Sequence, residues 1–191
     1  MSNTQKDAED RYEQIITETK KLATQAREGV RQKIDKEFTF HTTKGPLAFS
    51  DSFGDKHDLI VIHNMGTICS WCTMWADGFN GVREHLSDRS AILLLSPDRP
   101  ETVEKFAKER GWGFPVASAR DSGFNEFIEF GKSNDVHPGF STFYKDSDGM
   151  ITRISTECFG DFDLFSPVWH MIGRLKDGVN HWEPQFNYDK S

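Results

Sequence analysis

Leu59-Ile60-Val61-Ile62-His63-Asn64-Met65-Gly66-Thr67-Ile68-Cys69-Ser70-Trp71-Cys72 is the stretch on which the fold turns. It opens with an apolar, largely β-branched run, the pattern of a strand buried on both faces. A short link through Gly66 then delivers two cysteines three positions apart. Beyond Cys72 the apolar residues Met74, Trp75, Phe79, Val82 and Leu86 recur at helical steps. A dithiol therefore stands where a central strand hands over to a helix. Backbone N–H groups of a first helical turn have no partners within the helix, and they favour a thiolate there. Thiolate is the form that attacks disulfides, and a cysteine in this setting has its pKa lowered from about 8.5 to between about 3.5 and 7.5. The second cysteine is close enough to resolve a mixed disulfide.

On the N-terminal side, Phe38-Thr39-Phe40-His41 alternates as a strand, and Thr43-Lys44-Gly45-Pro46 turns the chain into Leu47-Ala48-Phe49. This is a hairpin, followed by a turn of helix over Ser50–Gly54. Residues 1–36 are charged, lack proline and carry a thin apolar stripe: Tyr12, Ile15, Ile16, Leu22, Ala23, Ala26, Val30 and Ile34. That predicts one long helix, either a solvated lead-in or a docking element paired with a second copy of the chain.

On the C-terminal side, Ala91-Ile92-Leu93-Leu94-Leu95 is a second buried strand. Asp98 is placed to cap the next helix, with Pro100 in its first turn and Gly111 at its end. Strand, helix, strand, helix implies a parallel β-α-β unit. Phe114–Ala117 reads as a third strand, and Phe124, Phe127, Ile128 and Phe130 mark a short helix in a loop. Pro138–Tyr144 and Met150–Thr156 form a hairpin about Lys145–Gly149. Leu164–Leu175 reads as the closing helix. The tail, with Trp182, Pro184, Phe186 and Tyr188, is aromatic enough to pack back on the body.

The 191 residues suffice for one filled core plus an appendage. A net charge of −7 without a basic cluster argues against nucleic acid or an anionic membrane surface as a partner. No apolar run has the length of a transmembrane helix, and no apolar segment follows the N-terminal residues as in a signal peptide. Three cysteines are no disulfide framework, so a reducing cytoplasm is the expected compartment.

The Cys-x-x-Cys pair admits two other readings. Half of a zinc site would need two more ligands, and Cys158 and His63 lack ligand-pair spacing. A pair of inert buried thiols is the other. Cys158 itself reads as a small buried residue, Asp77 as helix surface, and Trp75, Phe79 and Trp112 as core.

The order hairpin, strand, Cys-x-x-Cys helix, strand, helix, antiparallel hairpin and helix is similar to the thioredoxin-like fold. Phe38-Thr-Phe, Gly45-Pro-Leu, Leu59-Ile-Val-Ile-His, Cys69-Ser-Trp-Cys, Trp75-Ala-Asp-Gly-Phe-Asn-Gly, Gly111-Trp-Gly-Phe-Pro, Phe124-Asn and Gly139-Phe-Ser-Thr-Phe-Tyr resemble one family in particular. It is a mostly bacterial family of thioredoxin-like proteins with a charged N-terminal helix. Its members are labelled predicted dithiol-disulfide oxidoreductases and carried as a domain of unknown function. The resemblance spans roughly residues 10–188 and implies an α/β fold. The expected form is a thioredoxin-like three-layer sandwich on a mixed central sheet, with an N-terminal β-hairpin. Residues 1–36 would be a helical extension and residues 37–191 the thioredoxin-like domain.

It further implies Cys69 as nucleophile and Cys72 as resolving thiol, with Ser70, Trp71 and Pro138 touching substrate. Thioredoxins carry a buried aspartate six residues before the first cysteine. His63 stands there and is expected to take the Cys72 proton, its ordinary pKa of about 6.5 suiting neutral pH. Thioredoxins also place a cis-proline opposite the dithiol. Pro138 is the candidate, although aligning Phe143-Tyr144 with the following strand puts Phe140 at that place. Ser70-Trp71 replaces their Gly-Pro, so the redox potential does not carry over.

The implied activity is thiol-disulfide exchange without metal or cofactor. Its partners would be a disulfide-containing protein or small molecule and an electron donor, with a homodimer as one of the two options that the N-terminal helix leaves open. The alternatives are a thiol peroxidase, whose Pro-x-x-x-Thr/Ser-x-x-Cys sequence is absent, and a non-catalytic binding module built around Trp71.

Overall fold

The computed structural model describes residues 3–29, 31–132 and 135–188. Ten strands and six α-helices occur among them, and an eight-stranded sheet carries the architecture. The strands are β1 (Gln32–Ile34), β2 (Thr39–Thr42), β3 (Gly45–Ala48), β4 (Asp58–His63), β5 (Ala91–Ser96), β6 (Val116–Ser118), β9 (Gly139–Lys145) and β10 (Ile151–Cys158), with a small ribbon of β7 (Gly131–Lys132) and β8 (Asp135–Val136) apart from them. Across the sheet the order is β1-β10-β9-β4-β5-β6-β2-β3. β4, β5 and β6 run parallel, and β9 lies antiparallel to β4, with His63 opposite Gly139. The helices are α1 (Asn3–Glu28), α2 (Ser70–Gly81), α3 (Arg83–Arg89), α4 (Pro100–Arg110), α5 (Phe124–Phe127) and α6 (Pro167–Ile172). This is the thioredoxin-like, mixed-sheet fold that the sequence order implies.

The apolar runs of β4 and β5 are buried on both faces because each face of the sheet has its own core. Leu59, Val61, Leu93 and Leu95 join a phenylalanine-rich layer of Phe38, Phe40, Phe49, Phe53, Phe124, Phe130 and Phe143. Their alternate neighbours Ile60, Ile62, Ile92 and Leu94 pack with Trp75, Ala76, Val103, Trp112 and Phe114 beneath α2 and α4. Successive strand residues point to opposite faces, so each side chain of β4 is assigned to one layer or the other. Fully burying each such side chain is worth about 1.5–3 kcal/mol.

Several boundaries differ from the expectation. The N-terminal helix stops at Glu28, and residues 32–34 form β1, the edge strand paired to β10. A division at residue 36 thus cuts through the sheet. Three residues with one buried apolar position, Ile34, give too little alternation to announce a strand. Tyr12, Ile15 and Leu22 of the α1 stripe stay exposed; Val30, assigned to the same stripe, lies outside the described residues. The helix after Cys72 breaks at Val82 (φ −110°), separating α2 from α3. There Asn80 is tied to the Gly111–Gly113 loop, accepting from Gly113 N–H (2.8 Å) and donating to Gly111 C=O (3.2 Å).

The closing helix is shorter than Leu164–Leu175. Asp163 Oδ1 accepts the N–H groups of Phe165 (2.6 Å) and Ser166 (3.1 Å), holding a turn until Pro167 opens α6. The aromatic tail packs back, with Trp182 edge-on to Trp169 and Phe186 edge-on to Phe106. Among the described residues no helix is long and apolar enough to cross a membrane.

Candidate active site

Where β4 ends, residues 64–69 form a loop that carries the chain across to α2. Asn64 N–H bonds Leu95 C=O (3.0 Å), and its buried side chain turns back to accept Gly66 N–H (2.7 Å). Thr67 N–H reaches Asp98 Oδ2 (2.6 Å), and Cys69 N–H closes on Gly66 C=O (3.1 Å). Gly66 is required here twice over. Its φ is +112°, and a Cβ on it would lie 3.2 Å from Asp98 Oδ2.

Cys69 is the N-cap of α2, with extended backbone (φ −95°, ψ 103°), and its Sγ accepts the N–H of Cys72 at 3.1 Å. A sulfur thus stands where Ser, Thr or Asp oxygen ordinarily caps a helix. Its thiol is lowered from 9.0 to about 7, first by the hydrogen bond with the Cys72 side chain and further by the backbone N–H groups of Cys72 and Trp71, against burial, which raises it. Cys72 is buried and receives the N–H of Met65 at 3.5 Å. Its own pKa is pushed up by the hydrogen bond to Cys69 and by burial. The pair is asymmetric accordingly: a half-exposed sulfur that ionises near neutrality and a buried one that keeps its proton. Both are free thiols.

The half-buried Trp71 stacks on Trp169 of α6, centroids 4.9 Å apart, so the C-terminal segment props the residue between the cysteines. Ser70 is half-exposed at the first position of α2, and Ile68, beside Cys69, is 87% exposed. Pro138 precedes β9 at the same end of the sheet, its C=O accepting Phe159 N–H (2.9 Å). No cis peptide bond occurs among the described residues, so Pro138, the candidate for the cis position, is trans.

His63 is elsewhere. Val61 and His63 share a face of β4, and the imidazole lies 4.2 Å from the Phe130 ring, in the phenylalanine layer opposite α2. Its Nε2 bonds Ser141 Oγ (2.9 Å), which bonds Thr156 Oγ1 (3.0 Å), while Nδ1 is buried without a partner. An orphaned lone pair is more tolerable than an orphaned N–H, so the neutral ring carries its proton on Nε2. Burial, assisted by the Arg153 charge, holds its pKa down to about 3. The expected proton transfer from Cys72 therefore loses its geometry. Spacing from the cysteine fixed the position in the chain, whereas strand parity fixed the face.

Cys158 is exposed at the end of β10 instead of buried. Asp77 is more than helix surface. It pairs with Arg110 and accepts Trp112 Nε1–H (2.8 Å), joining α2 to the end of α4. Asp98 does not cap α4, whose N-cap Arg99 makes no side-chain capping bond. The parts of the site missing from the sequence reading are Asn64, Asp98, Trp169 and the Met65 N–H. Only Asn64 had a local signal, an Asx residue two before a glycine. Among the described residues no cluster of three His, Cys, Asp or Glu side chains is arranged to hold a metal.

The fold is shared with solved structures of low identity. Reduced Prx3 from Vibrio vulnificus superposes with a TM-score of 0.57 at 11% identity, over 72% of this chain and 92% of that one. Peroxiredoxin Q from Xanthomonas campestris gives 0.50 at 18% identity, over 63% and 78%. A hypothetical protein from Sinorhizobium meliloti 1021 gives 0.50 at 11%, over 80% and 85%. These likenesses establish the thioredoxin-like fold of the peroxiredoxins. No curated protein matches the chain in sequence. A family model described as "Bacterial protein of unknown function (DUF899)" matches residues 11–182, and the chain belongs to that family.

Proposed function

We propose that the protein is a thiol-disulfide oxidoreductase working through Cys69 and Cys72. The observation that carries this reading is the asymmetry of the pair: Cys69 Sγ caps α2 and ionises at about 7, while Cys72 beside it is buried and protonated. The Cys69 thiolate attacks one sulfur of a substrate disulfide. A Cys69–substrate disulfide forms, the substrate S–S bond breaks and one substrate thiolate leaves. That thiolate takes up the Cys72 proton, directly or through water. The Cys72 thiolate then attacks Cys69 sulfur, expelling the second substrate thiolate, which is protonated by solvent. The substrate disulfide is reduced by two electrons and the dithiol becomes a disulfide. A second dithiol must then re-reduce it. Met65 N–H, aimed at Cys72 Sγ, stabilises the charge that develops there.

Peroxide reduction is the second reading, favoured by the peroxiredoxin fold. The Cys69 thiolate would take one peroxide oxygen as sulfenic acid, releasing alcohol or water, and Cys72 would condense with it, losing water. Against it, Gly66 stands where the peroxidatic sequence requires Thr or Ser. Insulin reduction with dithiothreitol, run beside peroxide consumption, decides. Turnover of insulin at a rate that requires both cysteines supports exchange. Peroxide consumption alone transfers the assignment to the peroxidase, and neither activity leaves a non-catalytic module.

A further inference from the structure

Asp98 lies on a different β-α unit from the dithiol, yet its carboxylate is turned into the cysteine loop. We infer that Asp98 is a positioning residue for the resolving thiol, acting through the 64–69 loop and resting on the exchange reading above. Oδ2 accepts Thr67 N–H at 2.6 Å and Ser96 Oγ–H at 3.0 Å, while Ser96 Oγ accepts Asp98 N–H at 3.1 Å. The carboxylate rotamer is thus fixed from its own strand end, and Ser96 is fully buried. A carboxylate accepting a backbone N–H makes a charge-assisted bond, stronger than a neutral one.

The loop it grips has little freedom elsewhere. Asn64 N–H, Gly66 N–H and Cys69 N–H are bonded to Leu95, Asn64 and Gly66 in turn, and Met65 N–H is left for Cys72 Sγ. Asn64 anchors the start of the loop and Asp98 its middle. Between those two anchors sits Met65 N–H, the loop donor aimed at the buried sulfur. The Cys69 sulfur, by contrast, is held from α2 through Cys72 N–H and does not depend on the loop for that bond. Releasing Thr67 therefore loosens the donor to Cys72 while leaving the nucleophile capped. The two half-reactions respond differently, and a general loss of structure would not separate them.

The test is single-turnover kinetics with a chromogenic mixed-disulfide probe, using the full chain. Asp98→Ala is expected to keep the alkylation rate and pH midpoint of Cys69 while slowing resolution about ten-fold, so that mixed disulfide accumulates. Asp98→Asn restores an acceptor oxygen for Thr67 N–H and is expected to recover most of the parent rate. Asn as slow as Ala overturns the inference in favour of a purely charge-based effect. Resolution by Asp98→Ala at the parent rate also overturns it. If that variant does not fold, Ser96→Ala, which removes only the hydroxyl fixing the carboxylate, must slow resolution about two- to three-fold. An unchanged rate there overturns it as well. A parent that never forms the mixed disulfide instead refutes the exchange reading.

Discussion

Cys69 and His63 are neighbours in the chain, at the two ends of one short link, and the fold treats them in opposite ways. Cys69 stands at the mouth of a helix where a side-chain and two backbone hydrogen bonds outweigh partial burial, and its thiol falls to about 7. His63 stands in a layer of phenylalanine rings, where burial dominates and its basicity falls to about 3. Both pKa values are lowered, with opposite consequences. Lowering the thiol creates the charged, reactive form at neutral pH, whereas lowering the imidazole keeps it neutral and inert. Reactivity follows the environment of the atom, not its distance along the chain from a motif.

The largest effect that would break this contrast is loss of the proposed nucleophile. Cys69→Ser is expected to reduce insulin turnover to the uncatalysed rate, whereas Cys72→Ser should still attack and then stall as a trapped mixed disulfide, visible by mass. If Cys69→Ser traps the adduct and Cys72→Ser does not, the roles are reversed and the helix cap does not select the nucleophile.

His63 supplies the next largest effect, on stability and not on rate. The unfolded chain protonates this ring near pH 6.5 and the folded one only near 3. The unfolded state therefore binds more protons between those values. The contribution of the neutral ring is complete above pH 6.5 and is lost as the pH falls toward 3, by an amount of order 4 kcal/mol. His63→Gln retains a donor for Ser141 without titrating. Urea midpoints from pH 7 to 4 should fall less steeply for Gln than for the parent. His63→Ala should cost about 2–4 kcal/mol for the cavity and the lost bond. In both variants the resolving step should run at the parent rate. Slow resolution in His63→Gln would return the ring to the mechanism.

A smaller shift tests the cap itself. Iodoacetamide alkylation of Cys69 should rise with pH and level off around a midpoint of about 7, since the thiolate is the reacting form. His63→Gln should leave that midpoint in place. A midpoint near the ordinary 9.0 would mean that the hydrogen bonds at the head of α2 do not hold the thiolate.

The same contrast explains what the sequence made legible. β4 and β5 announce themselves because both faces are buried, so their central runs, residues 59–62 and 91–95, are wholly apolar and no partner need be known. The Cys-x-x-Cys helix is equally local, since cap, spacing and first turn lie within four residues. The face occupied by His63 is legible in the alternation Val61, Ile62, His63, whereas its distance along the chain from Cys69 carries no information about the face. The role of Asp98 was not available. Its partner Thr67 lies 31 positions away, and an Asp before a proline-opened helix reads as a cap whatever it binds. Trp169 under Trp71 and β1 beside β10 are long-range in the same sense.

Cys158 gives the smallest expected effect and the cleanest control. Alternation along β10 after its bulge puts Cys158 with Thr156, in register with Gly139 and Ser141, on the His63 side of the sheet. Unlike His63 it is exposed, and unlike Cys69 it stands at the end of a strand and caps no helix. Mild oxidation should remove two thiols by alkylation and mass counting, linking Cys69 to Cys72 and leaving Cys158 free. Cys158→Ser should match the parent in insulin turnover and in the pH midpoint of Cys69. A Cys69–Cys158 disulfide under those conditions would mean that the end of β10 approaches the head of α2 during the cycle. The separation of the two faces would then be a property of the resting molecule alone.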